Sequence, residues 1–183
     1  AEYRLMVEGV RKTLDNIAKV VPGYKGQGYE IAGFVWFQGH KDSFTENLID
    51  TYEHNLVNLI DDVRREFDAP NLPAVIATIG FGGHNMQGKF LRILKAQMAV
   101  GDPTQHPKYD GNVSTVDTRD YWREVDESPT NQDYHYHRNA ETYMLIGDAV
   151  GRAMVGLQAG HAEPLPQAAR PAQIEQPRTE EPT

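Results

Sequence analysis

Cysteine is absent from the 183 residues. That excludes disulfides and thiolate chemistry but leaves the compartment open, because an oxidising compartment does not require disulfides. Positive charge is scarce: 18 Lys and Arg stand against 26 Asp and Glu, a formal net charge of −8. A chain of that sign repels polyanions, which speaks against nucleic acid and anionic membrane surfaces as partners. No apolar run is long enough to span a membrane. Neither a signal peptide nor an initiator methionine opens the chain, and no internal repeat is visible. Serine is rare: Ser43, Ser114 and Ser128 are the only ones, and none sits in a glycine-flanked strand-to-helix turn.

What is present is enough for one domain with a core. Met6, Val10, Leu14, Ile17 and Val21 keep a helical period that predicts a helix from about residue 2 to Val20, stopped by Pro22-Gly23. Ile31 to Phe37 reads as a buried strand. Ile49, Tyr52, Leu56, Ile60, Val63 and Phe67 predict a second helix, ending before Ala69-Pro70. A buried strand follows from Pro73 to Ile79, then a glycine turn, Gly80 to Gly83, and a helix over 86–100. A third strand covers Val113 to Thr118, an irregular stretch covers Arg119 to Asn131, and a last helix runs from about Asn139 to Leu157. Strands alternating with helices imply a parallel sheet with helices on both faces. Three strands make a thin sheet, and the opening helix has no strand before it. We therefore expect a chain whose first β-α-β unit lies elsewhere. The domain is expected over 1–158. Residues 159–183 hold five of the 11 prolines and no aromatic residue, and are expected to form a disordered tail.

Two polar clusters carry chemistry. Gln38-Gly39-His40-Lys41-Asp42 follows the first strand at its C-terminal end, where ligands bind in open α/β sheets. The Gln38 amide and the Gly39 N–H are donors that can face a developing oxyanion, and a plain polar loop explains the same residues. Asn131-Gln-Asp133-Tyr134-His135-Tyr136-His137-Arg138-Asn139 precedes the last helix. A histidine beside a carboxylate is the general-base unit of a hydrolase. His135 and His137 can also ligate a metal, although no other dense cluster supplies further ligands. Surface histidines capping a helix are the third reading. The Gly80–Gly83 turn fits neither a dinucleotide nor a Walker pattern and reads as a tight strand-to-helix connection. Trp36, Phe37, Tyr134 and Tyr136 flank the clusters; aromatic rings beside polar groups suit carbohydrate faces, and core packing explains them as well.

Trp36-Phe37-Gln38-Gly39-x-x-Asp42 resembles the Trp-(Tyr/Phe)-Gln-Gly block of the sialate O-acetylesterase-like domain. That family is a branch of the SGNH (GDSL-type) hydrolases that includes carbohydrate esterase family six. Tyr134-His135-Tyr136-His137, with Asn139-Ala-Glu-Thr-Tyr143 and Ile146-Gly147, resembles the closing histidine block and last helix of that family. The Asp61-Val63-Arg64 helix, the Leu72-Pro73 strand entry and the Gly80–Gly83 turn match in order, so the resemblance covers about residues 2–157. It implies a flavodoxin-like three-layer αβα sandwich with a parallel sheet, here without its first strand, and cleavage of acyl esters, commonly acetyl groups on sugars, without a cofactor.

Carried over, Gln38 is the oxyanion amide, Gly39 and Asp42 belong to the same motif, His135 is the base, and His137 is the reserve. Two departures stand out. The family's nucleophilic serine lies in a turn after the first strand, and this chain has no such turn. The triad acid usually precedes the histidine by three residues, where Gln132 stands; Asp133 is the nearest carboxylate, and Asp126 or a dyad are alternatives. The expectation is a carbohydrate O-acetylesterase whose serine is supplied from outside these residues, with an open edge on the first strand. A non-catalytic carbohydrate-binding or scaffolding domain, and a metal-dependent hydrolase using His135 and His137, are the other readings. The partner is an acetylated carbohydrate, and a periplasmic or secreted home follows from the resemblance alone.

Overall fold

The computed structural model describes residues 2–160, so the expected tail lies almost wholly outside the described residues. Helices α1 (Glu2–Asp15) and α2 (Ile17–Val20) come first. They are two helices rather than the one predicted. Asn16 separates them and turns its side-chain amide back onto Lys12 O at 2.9 Å, a local bond that competes with the helix. Three strands follow, β1 (Phe34–Trp36), β2 (Ala74–Ala77) and β3 (Val113–Val116). They alternate with α3 (Glu46–Glu66) and α4 (Gly88–Val100), and α5 (Ala140–Gln158) closes the fold.

The sheet is parallel throughout, in the order β1-β2-β3. Val35 pairs with Val75, and Val75 with Ser114. Helices α3 and α4 connect successive neighbours in the sheet and pack on each other, as two crossovers of the usual right hand place them on one face. Helix α5 covers β2 and β3 on the other face, giving the three-layer sandwich. Helix α1 lies outside α3, with the Tyr3 hydroxyl on Asp62 O at 3.2 Å.

Strand β2 is the buried centre, and its four residues are all inaccessible to solvent or nearly so. Ile60 of α3, Ile76 of β2 and Ile93 of α4 are fully buried together. Each such side chain contributes about 1.5–3 kcal/mol relative to exposure. Strand β1 departs from expectation. It is three residues long rather than seven, and Val35 is 49% exposed. The reason is its position: among the described residues β1 pairs only with β2, so one edge and part of a face remain open.

The N-terminal ends of the strands are tied by Arg64, whose guanidinium donates to Leu72 O at 2.8 Å and to Asn112 Oδ1 at 2.6 Å. The opposite, C-terminal ends carry the loops that hold both polar clusters.

Candidate active site

The first cluster is held from below by a buried polar network. Tyr52 of α3 donates its hydroxyl to Gln38 O at 2.7 Å and accepts the Trp36 indole N–H at 3.2 Å. Gln97 of α4, wholly buried, donates to Gln38 O at 2.7 Å and to the Tyr52 hydroxyl at 3.1 Å. Its own carbonyl accepts Ile79 N–H at 2.9 Å. Two helices and the loop after β2 thus fix the backbone of Gln38. Burial pushes the Tyr52 phenol up to about 12, so it stays a neutral donor at any physiological pH.

The Gln38 side chain has a defined orientation. Its amide nitrogen donates to Asp42, while its carbonyl oxygen turns towards Tyr52 at 3.4 Å. An amide carries two N–H groups, so one remains for a ligand. Asp42, expected as part of the same motif, is the acceptor of that amide N–H. Gly39 has a steric reason to be glycine. Its φ is +153°, and a Cβ there would meet Ile93 Cγ2 at 2.9 Å and Gln97 Nε2 at 3.2 Å. Gly39→Ala is expected to destabilise the fold by about 1–3 kcal/mol. A urea titration measures it; an unchanged midpoint would show that the loop tolerates the methyl group.

The second cluster makes an unusual turn. Tyr136, His137 and Arg138 follow one another at φ of 50°, 52° and 57°, a left-handed region that costs L-residues roughly 1–2 kcal/mol each. Long-range bonds hold it there. The Tyr136 hydroxyl accepts Gly80 N–H at 3.0 Å, and Thr130 N–H donates to His137 O at 3.2 Å. His137 N–H donates to Gln132 O at 2.9 Å, and Asn139 caps α5 by accepting Thr142 N–H at 3.1 Å. Burial pushes the Tyr136 phenol up to about 12. The glycine turn, read as a plain connection, is thus also the anchor of this loop.

The turn sends its two histidines to different places. His135 is exposed and lines a cleft of about 300 Å³ together with Phe37, Gln38, Gly39, His40 and Tyr134. His137 is only 3% exposed, packs on Trp122 with ring centres 4.7 Å apart and planes tilted by 59°, and its Nδ1 has no hydrogen-bond partner among the described residues. Asp133 accepts Tyr134 N–H at 2.7 Å, and the His135 ring makes no hydrogen bond among the described residues. Asp126 lies exposed in the turn Val125–Glu127. No serine lines the cleft. Ser43 is buried and donates to His40 O at 2.6 Å, Ser114 lies within β3, and Ser128 accepts Asn139 Nδ2 at 3.1 Å. Among the described residues no three His, Asp or Glu side chains gather as metal ligands.

The sequence reading passed over several residues that shape this region. Tyr52 counted only as one of the core-facing positions of its helix, and Gln97, a polar residue on a buried helix face, gives no periodic signal. His40 stood inside the quoted cluster but had no role there. His84 pairs with Asp120 at 2.6 Å after the glycine turn, well exposed and outside the cleft. A larger concavity of about 860 Å³ lies beside α3 and α4, where Arg92 is bonded to Glu46 at 2.7 Å and to Asp50 at 2.6 Å. The smaller cleft is the candidate site because both polar clusters meet in it.

A family model described as carbohydrate esterase, sialic acid-specific acetylesterase, matches residues 2–156. No protein of curated function matches the chain. The solved X-ray structure of a protein from Arabidopsis thaliana is similar at 20% identity and a TM-score of 0.49, over 81% of this chain and 52% of that one. The chain thus spans about half the length of that solved protein.

Proposed function

The chain belongs to the family of carbohydrate esterases described as sialic acid-specific acetylesterases, and from that premise we propose that it carries the base and oxyanion half of a serine esterase acting on acetylated sugars. The observation that carries this reading is the meeting of Gln38 and His135 in one cleft at the C-terminal ends of the strands. The nucleophile is a serine contributed from outside Ala1–Thr183.

The chemistry is acyl transfer in two steps. The serine Oγ attacks the ester carbonyl carbon while His135 takes its proton. The free N–H of the Gln38 amide donates to the carbonyl oxygen as it becomes an oxyanion. Collapse breaks the bond to the sugar oxygen, and His135 returns the proton to that oxygen as the alcohol leaves. Water, deprotonated by His135, then attacks the acyl carbon; the bond from that carbon to the serine Oγ breaks, His135 returns the proton to Oγ, and acetate leaves. Asp42 keeps the Gln38 amide aimed, and the Tyr52–Gln97 network keeps its backbone in place.

A specific observation favours a second reading. With no serine in the cleft, this chain by itself would bind a carbohydrate ester without cleaving it. One experiment separates the two. The full-length protein is incubated with p-nitrophenyl acetate and, separately, with a fluorophosphonate that labels activated serines. We expect nitrophenol release and one labelled serine outside residues 1–183. Absence of both would remove the esterase reading and leave the binding domain.

A further inference from the structure

His40 is the most enclosed imidazole at the mouth of the cleft, and neither polar cluster explains it. Its ring lies parallel to Tyr134 at 5.0 Å and 16°, and to Phe90 of α4 at 5.8 Å and 23°. Phe44 and Phe81 meet it edge-on at 5.0 Å and 5.5 Å. Aromatic packing alone would be better served by phenylalanine or tyrosine, because burying an imidazole costs desolvation. That cost is visible: burial pushes the His40 pKa down, with Lys89 and His135 adding to the effect and Asp133 opposing it.

The ring is placed firmly and left open. Ser43 holds the His40 carbonyl through its Oγ at 2.6 Å and its N–H at 3.2 Å. Neither ring nitrogen has a hydrogen-bond partner among the described residues, and neither is among their fully enclosed, unsatisfied atoms. A neutral imidazole offers one donor and one acceptor, which matches a pair of neighbouring hydroxyl groups. Beside it, Tyr134 is 42% exposed and its ring is backed by His40, a supported aromatic face of the kind a sugar ring covers.

We propose that His40 is a specificity-determining residue that hydrogen-bonds the hydroxyl groups of the sugar carrying the ester, with Tyr134 as the platform beneath the ring. This rests on the esterase reading above. His40 acts on the choice of alcohol, whereas His135 and Gln38 act on the acyl carbon.

The test compares 6-O-acetylglucose with ethyl acetate as substrates for the full-length protein. His40→Phe keeps a ring and removes both nitrogens; His40→Leu is the alternative if the first variant does not fold. The wild-type preference for the sugar ester, measured as the ratio of kcat/KM values, is expected to fall roughly ten- to a hundredfold, mostly through KM, the effect of two lost hydrogen bonds. His40→Gln, which keeps a donor and an acceptor, is expected to recover part of it. A folded His40→Phe or His40→Leu protein with the wild-type ratio overturns the proposal while the esterase reading stands. If the wild type hydrolyses neither ester, the esterase reading fails, and the sugar contact falls with it.

Discussion

His135→Ala in the full-length protein is expected to lower kcat/KM on acetyl esters by roughly 10²–10⁴-fold, the range for loss of a positioned general base. That is about 3–5 kcal/mol of transition-state stabilisation. The melting temperature should move little, because His135 is exposed and the one aromatic ring packed on it among the described residues is Tyr134, at 4.6 Å. The contrast is His137→Ala. Its ring is buried against Trp122, so its loss should lower the melting temperature while the folded fraction keeps its activity. Steady-state kinetics and a thermal melt on both variants decide the matter. If His137→Ala lost the activity and His135→Ala kept it, the roles would be exchanged. If both kept it, the base would have to be sought elsewhere, first at the exposed His84–Asp120 pair.

Gln97→Leu carries the second large effect, this time on stability. The side chain is wholly buried and serves three partners: Gln38 O at 2.7 Å, the Tyr52 hydroxyl at 3.1 Å, and Ile79 N–H at 2.9 Å. Leucine fills similar space but leaves Ile79 N–H with no acceptor and takes one of two donors from Gln38 O. Each buried group left unpaired costs about 1–3 kcal/mol, so a loss of about 3 kcal/mol is expected, or roughly 6–12 °C in Tm for a chain of this size. Activity should fall as well, because the Gln38 amide is aimed through that backbone and small displacements of a positioning group weigh heavily on rate. Denaturant unfolding of Gln97→Leu, Tyr52→Phe and the double variant measures the coupling. Since the two side chains bond each other and share Gln38 O, their effects should not add. Strict additivity, or a loss under 1 kcal/mol in Gln97→Leu, would show that the network is not what holds the loop.

The alternation of strands and helices and the two clusters were legible in the sequence because they rest on local signals. Pro73 to Ile79 is apolar but for Thr78, and it became the buried centre of the sheet. Gln38-Gly39 and the His135 block are contiguous motifs, and they meet in the cleft. What was not legible depends on partners far along the chain. The open edge of the first strand was expected from the family resemblance and is what the described residues show, but the short length of that strand and the exposure of Val35 are contained in no window of residues around Val35. The different settings of His135 and His137 follow from a backbone turn, whereas alternation would have assigned two residues so close together to one face. Gln97 and Tyr52 looked like ordinary members of amphipathic helices until the loop they support was in view.

The left-handed turn at Tyr136, His137 and Arg138 has a consequence for where the site is vulnerable. None of these residues is glycine, so each carries a steric cost that its anchors must offset. Thr130 and Gln132 close on His137 from within the same loop, whereas Gly80 offers its N–H to Tyr136 from 56 residues away, on the loop after β2. The position of His135 therefore depends on a backbone group that does not line the cleft. A substitution that shifted Gly80 would reach the imidazole without altering any residue of the cleft itself.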